Sequence, residues 1–132
     1  MPYPKGFNAI GIHAGLKQHS ARLDLALIVS DRLSAVAGVT TTNKVAAAPV
    51  VHARKILKRG VAQCIVVNSG CANACTGVDG DRIVDAETEQ VQSVLGIDRS
   101  NVVVASTGII GVLPVRDILL QGITKAGQGI AA

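Results

Sequence analysis

The apolar residues of this chain fall into short blocks separated by polar, glycine-bearing breaks. Val102-Val103-Val104-Ala105 is such a block, without polar alternation, as expected of a strand covered on both faces. Cys64-Ile65-Val66-Val67 repeats the pattern, and Asp24-Leu25-Ala26-Leu27-Ile28-Val29-Ser30 predicts another strand. Gly6 to Gly15 alternates small and apolar groups, as an edge or entry strand does. A turn at Ser30-Asp31-Arg32 then predicts a return strand over Ala35 to Thr41, forming a hairpin or meander with its predecessor. The polar run Thr40-Thr41-Thr42-Asn43-Lys44 reads as a solvated loop, with a binding role as the alternative.

Helical spacing appears in three places. Asp79 to Leu95 carries Ile83, Val84, Val91, Val94 and Leu95 on one face, has acids towards its start, and meets Gly96. His52 to Arg59 is a short basic helix with Ile56 and Leu57 inward and Gly60 at its end. Pro114 to Gly122 predicts a last short helix starting near the proline. Val45 to Val51 is too rich in alanine to assign, and Pro49 argues against a central strand or a helix interior.

Two blocks echo each other. Ile65-Val66-Val67-Asn68-Ser69-Gly70 and Val103-Val104-Ala105-Ser106-Thr107-Gly108 both run from aliphatic strand to small polar pair to glycine. The long helix between them predicts a β-loop-α-β unit with parallel strands, so both polar turns share one sheet edge, where α/β proteins place ligands. The Ser106-Thr107-Gly108 turn would present two hydroxyls and several amide donors at one point there, suited to a developing oxyanion. An ordinary strand-to-loop turn has the same composition.

Composition narrows the class. At 132 residues with 48% hydrophobic but only 2% aromatic side chains, the core must be built from Val, Ile, Leu and Ala. Together with 14 glycines, this favours one compact α/β domain, a mixed sheet with helices packed on it, spanning residues 1–132. The net charge of +4 is dispersed, apart from Arg54-Lys55 and Lys58-Arg59, and lacks stacking aromatics. Nucleic-acid binding is therefore disfavoured, while attraction of small anions fits. No apolar run reaches membrane-spanning length, and Met1 to Lys5 lacks an apolar leader core, so a cytoplasmic location is expected. Cys64, Cys71 and Cys75 cannot all pair and read as free thiols. Cys71 and Cys75 have no second ligand cluster, so no metal is expected. No cofactor is expected either, since Gly70, Gly77 and Gly80 match no nucleotide fingerprint. His13, His19 and His52 lack a nucleophilic partner at a familiar spacing, and no carboxylate pair stands out; Asp24, Asp79 and Asp81 have structural reasons for their places. The chain offers donors and no obvious nucleophile.

Four strings nevertheless occur in one order and at compatible spacing. They are Asp24 to Ser30, Thr40 to Val50, Val67-Asn68-Ser69-Gly70-Cys71-Ala72-Asn73-Ala74-Cys75-Thr76-Gly77, and Val104 to Gly111. Together they resemble the N-terminal, α-chain part of the ornithine acetyltransferase family, bifunctional glutamate N-acetyltransferases of arginine biosynthesis. The resemblance implies a layered α/β fold and a precursor that cleaves itself before a threonine, which becomes the nucleophile of a β chain. It further implies acetyl transfer from N-acetylornithine to glutamate through an acetyl-threonine, with acetyl-CoA as a further candidate donor. Thr107 and Gly108 are then the catalytic oxyanion pair, and the partner is the β chain in an α/β hetero-oligomer.

The chain departs from that family by ending at Ala132, before the family's later substrate-binding segments and its cleavage site. It is therefore expected to be an incomplete α portion, inactive alone, with an exposed apolar patch beside Val102 to Ala105. Position 71 is Cys where asparagine is frequent, a packing variation. A non-catalytic binding or assembly module and a related self-cleaving aminopeptidase are the competing readings.

Overall fold

A computed structural model of the protein describes residues 4–17 and 20–131. His19, Met1 to Tyr3 and Ala132, all used above, lie outside the described residues. The elements are β1 (Phe7–Ile12), β2 (Leu25–Ala35), α1 (Ala48–Arg59), β3 (Val61–Cys71), α2 (Gly77–Leu95), a single 3-10 turn (Arg99–Asn101), β4 (Val102–Ile109) and α3 (Arg116–Ala131). One sheet runs β1-β2-β3-β4. The first two pairings are antiparallel and β3–β4 is parallel, so the sheet is mixed as expected and α2 is the crossover.

Three boundaries differ from the sequence reading. The chain does not turn back at Ser30-Asp31-Arg32, and Ala35 to Thr41 is no hairpin strand. Instead, β2 continues to Ala35 across a register shift between Val29 and Ser34. Ser30 and Ser34 hydroxyls meet at 2.8 Å across this bulge, absorbing the polar residues that read as a turn. β2 already has β1 and β3 on its two sides, which leaves no edge for a return strand. The residues after Ala35 run as an irregular segment, held by Arg54, whose Nε donates to Thr40 Oγ1 at 3.1 Å and whose second terminal amine donates to the Thr41 carbonyl.

Pro49 sits in the first turn of α1, where its missing N–H costs nothing, so the helix begins ahead of His52. Gly60 caps it in a left-handed conformation, as expected. α3 runs well past Gly122, because its glycines are contact points. A Cβ at Gly122 would lie 2.7 Å from Ala14 Cβ, one at Gly127 would lie 2.4 Å from Val94 Cγ1, and one at Gly129 would lie 2.5 Å from Ile10 Cδ1. They let α3 press against β1, the turn after β1, and α2.

The core lies on one face of the sheet. Leu25, Leu27, Val29, Cys64, Val66 and Val102 pack under Ile83 and Val91 of α2 and Leu119, Ile123 and Ala126 of α3. Cutting Leu27 back to alanine would cost about 2–5 kcal/mol, the range for a fully buried leucine. The residues between them in sequence project from the opposite face. Ala26, Ile65, Val67 and Val103 there are half-buried, and Ile28 and Ala105 are exposed. The two helices cover β4 fully on one face, while the other is reached only in part, by α1 and the Val36–Thr41 segment. At the outer side of β4, α1 closes the edge. His52 Nε2 donates to the Val102 carbonyl at 2.8 Å, and Arg59 bonds the Ser100 carbonyl and Asn101 Oδ1.

One buried group works against the fold. Glu87 is fully buried in α2, and neither carboxylate oxygen has a hydrogen-bond partner among the described residues. Burial pushes its carboxyl up to about 8. The folded state holds a proton that the unfolded chain releases near the ordinary value of 4.5. Stability is therefore full below that value and falls as pH rises, by up to about 1.4 kcal/mol per pH unit, until the folded carboxyl ionises. Denaturant titrations across this range should show that decline, and Glu87→Gln should flatten it. An unchanged slope in Glu87→Gln would show that another group is responsible.

Candidate functional site

The polar turns at the ends of β3 and β4 come together. The parallel register places Asn68 beside Ser106, Ser69 beside Thr107, and Gly70 beside Gly108. Thr107 and Gly108 are both exposed. Their orientation follows from strand alternation. The Val102 carbonyl points away from the sheet to His52, whereas the Ile109 carbonyl accepts from Ala72 N–H at 2.9 Å on the β3 side. The register is unbroken between them, so odd positions address β3 and even positions face the outer edge. Gly108 N–H is thereby turned to the free edge. The Thr107 side chain shares the open face with Val103 and Ala105, opposite buried Val102 and Val104. The two residues thus lie at the corner where the open face and the end of this edge join.

Glycine is required at this corner. Gly108 has φ +132°, and a Cβ there would stand 2.3 Å from the Gly70 carbonyl carbon and oxygen. Gly70 itself has φ +131°. The two strands touch backbone to backbone, with no room for a side chain between them.

Behind the corner, residues 71–76 form a tight loop. Asn73 and Cys75 both adopt left-handed φ, at 49° and 56°. Asn73 is fully buried; its Nδ2 donates to the Gly80 carbonyl at 2.9 Å and its Oδ1 accepts from Thr76 Oγ1 at 2.7 Å. Its carbonyl accepts from Ala48 N–H at the start of α1, and Ala74 accepts from Gly111 N–H after β4. Asn73 thus ties the first turns of α1 and α2 to this loop. A turn-forming asparagine in a Gly-rich string is visible in sequence; that its side chain would be swallowed by the next helix is not.

The other candidates fall elsewhere. His52 is occupied in closing the β4 edge, and His13 Nδ1 lies 3.6 Å from Asp24 Oδ2. Asp24 is buried, and its carboxylate accepts backbone N–H groups of Ala14, Gly15 and Lys17 at 2.6, 3.2 and 3.1 Å. Burial alone would raise this carboxyl; the amides, helped by His13, outweigh it and hold the group below its ordinary value. Asp79 pairs with Arg82 at the surface of α2. Cys64, Cys71 and Cys75 are free thiols, and burial pushes Cys64 up to about 12. Among the described residues no three His, Cys, Asp or Glu side chains gather as metal ligands, and no helix is long and apolar enough to cross a membrane.

Next to the corner the open face is hollow. A cavity of about 460 Å³ lies between the Val36–Thr41 segment, α1 and the sheet, lined by Val36, Val50, Leu57, Ile65, Val103 and Ala105, and it reaches Ser106. Thr40 and Thr41 border it, whereas Asn43 and Lys44 do not.

This architecture matches known proteins. The structure superposes on a crystal structure of ornithine acetyltransferase from Mycobacterium tuberculosis, complexed with ornithine, with a TM-score of 0.91 at 40% identity, covering 95% of this chain and 67% of that one. An arginine biosynthesis bifunctional protein ArgJ from Bacillus halodurans gives 0.84 at 40% identity, covering 92% and 63%. In sequence, the arginine biosynthesis bifunctional protein ArgJ of Streptomyces avermitilis is 47% identical over 129 residues, which are 96% of this chain and 33% of that protein. The chain thus spans about a third of the length of such curated relatives. The ArgJ family model matches residues 8–131, and the chain belongs to the ArgJ family.

Proposed function

We propose that this chain forms the oxyanion-binding part of an acetyltransferase of arginine biosynthesis. The observation that carries the reading is that Thr107 and Gly108 are both exposed at the end of β4, on a backbone that admits only glycine at 108. Fixed donors of this kind stabilise an acyl-transfer intermediate because they need no reorganisation as charge develops. In the proposed reaction, the N-terminal threonine of a β chain attacks the acetyl carbonyl of N-acetylornithine, its own amine taking the hydroxyl proton. Charge collects on the carbonyl oxygen, between Thr107 and Gly108. Ornithine leaves protonated, and the amine of glutamate then takes the acetyl group from the threonine ester.

The same reading gives the open sheet face an occupant. Ala26, Ile28, Ile65, Val67, Val103 and Ala105 form an apolar surface continuous with the donor corner. A β chain seated there would cover it and bring its threonine to Thr107.

Two measurements test this on an enzyme assembled from this chain and the complementary portion of its Streptomyces avermitilis relative. Thr107→Ala should slow acetyl transfer by about a hundred- to a thousand-fold, the usual loss for one oxyanion donor; turnover within twofold of the parent removes Thr107 from the role. Ile28→Glu should leave the circular dichroism of this chain unchanged and abolish co-purification of the complementary portion. Undiminished co-purification would place the interface elsewhere. The chain by itself should transfer no acetyl group from N-acetylornithine.

A further inference from the structure

We infer that Asp24 is a positioning residue for the Thr107–Gly108 corner, acting through the turn at residues 14–17 and through Gly70. As far as it concerns turnover, this rests on the oxyanion reading above; its structural half does not. Of the buried carboxylates, Glu87 has no partner, whereas Asp24 is saturated.

Three segments converge on Asp24. Its N–H donates to the Ile12 carbonyl at 3.0 Å, where β1 ends. Its carbonyl accepts from Ser69 N–H at 2.8 Å, one residue before Gly70. Its carboxylate gathers the amides of Ala14, Gly15 and Lys17, folding the turn after β1 into a single shape. Neutral side chains could not satisfy this many convergent donors at once.

The turn held in this way sits against the corner. The Leu16 carbonyl oxygen lies 3.1 Å from the point where a Cβ on Gly70 would be, so it closes the space over that residue. Gly70 in turn stands backbone to backbone with Gly108. Contact therefore runs from carboxylate to turn, from turn to Gly70, and from Gly70 to the peptide whose N–H faces the free edge. On its far side the turn leans on α3, where Gly15 meets Ile118 and Ala14 meets Gly122. It is held between the helix and Gly70. Releasing the carboxylate frees the turn to move and lets the Gly70 and Gly108 peptides tilt. Among the described residues, His13 is the titratable side chain that faces this carboxylate, its Nδ1 3.6 Å from Asp24 Oδ2.

The test has two independent arms. In the unsubstituted chain, the amide resonances of Ala14, Gly15 and Lys17 should move as pH falls through the titration of Asp24, and those of Gly70 and Gly108 should move with the same midpoint. Stationary Gly70 and Gly108 resonances would overturn the coupling without any variant having to fold. In the assembled enzyme, Asp24→Asn should lower kcat about ten- to a hundredfold, as sub-ångström misplacement of catalytic groups does, with KM for N-acetylornithine within about twofold. Asp31→Asn, which removes a surface carboxylate bonded, among the described residues, only to Asn8 Nδ2, should match the parent. Unchanged kcat per assembled molecule in Asp24→Asn, with only a lower melting temperature, would reduce Asp24 to a stabilising role and overturn the inference. Thr107→Ala, assayed in parallel, separates the two ideas: normal turnover in that variant defeats the oxyanion reading, while co-titration of Gly70 and Gly108 still decides whether Asp24 holds the corner.

Discussion

Everything at the candidate site depends on the contact between the backbones of Gly70 and Gly108. Parallel strands ordinarily keep their side chains apart on two faces. Here the ends of β3 and β4 approach so closely that a Cβ at Gly108 would stand 2.3 Å from the neighbouring peptide. The closeness fixes the last residues of both strands against each other. Thr107, one residue before the contact, has its place on the open face set by the main-chain register of the two strands. The site is rigid because of what its residues lack.

That rigidity is joined to an unusually lopsided core. Strand alternation sends Leu25, Leu27, Val66 and Val102 towards two helices, and sends Ile28, Ile65 and Val103 away from them. The second set is nearly as apolar as the first. In an antiparallel sheet with a solvated face these positions would be polar. Among the described residues, α1 and the Val36–Thr41 segment reach over only part of this second face.

Much of this was legible in the sequence. The two echoing blocks and the amphipathic helix between them specified a parallel β-α-β unit, since both the aliphatic runs and their polar ends are local signals. What stayed hidden depended on contacts across the fold. Gly122 reads as a helix stop, because the sequence carries no sign that Ala14 lies against it. Ser30-Asp31-Arg32 reads as a turn, because a bulge and a reversal use the same residues. Pro49 was ambiguous until its place in the first turn of α1 was known. Asp24 begins a strand and looks unremarkable in one dimension; the amides it collects come from a turn seven to ten residues earlier. The Ser106-Thr107-Gly108 string was visible in itself, whereas the direction of its peptide groups required knowing which carbonyls of β4 face His52 and which face the 71–76 loop.

The way α1 lies along β4 has a consequence for the solitary chain. An outer strand with free peptide groups invites a second molecule to extend the sheet, and an uncovered apolar surface beside it adds to the hazard of misassembly. His52 and Arg59 occupy carbonyls at the beginning of β4 and its approach, so a stray strand cannot zip along the whole margin. At the far end of the strand, the positive φ of Gly108 breaks the regular extended backbone that a stranger would need to copy. α1 thereby guards the start of this margin, while its Thr107–Gly108 end stays exposed.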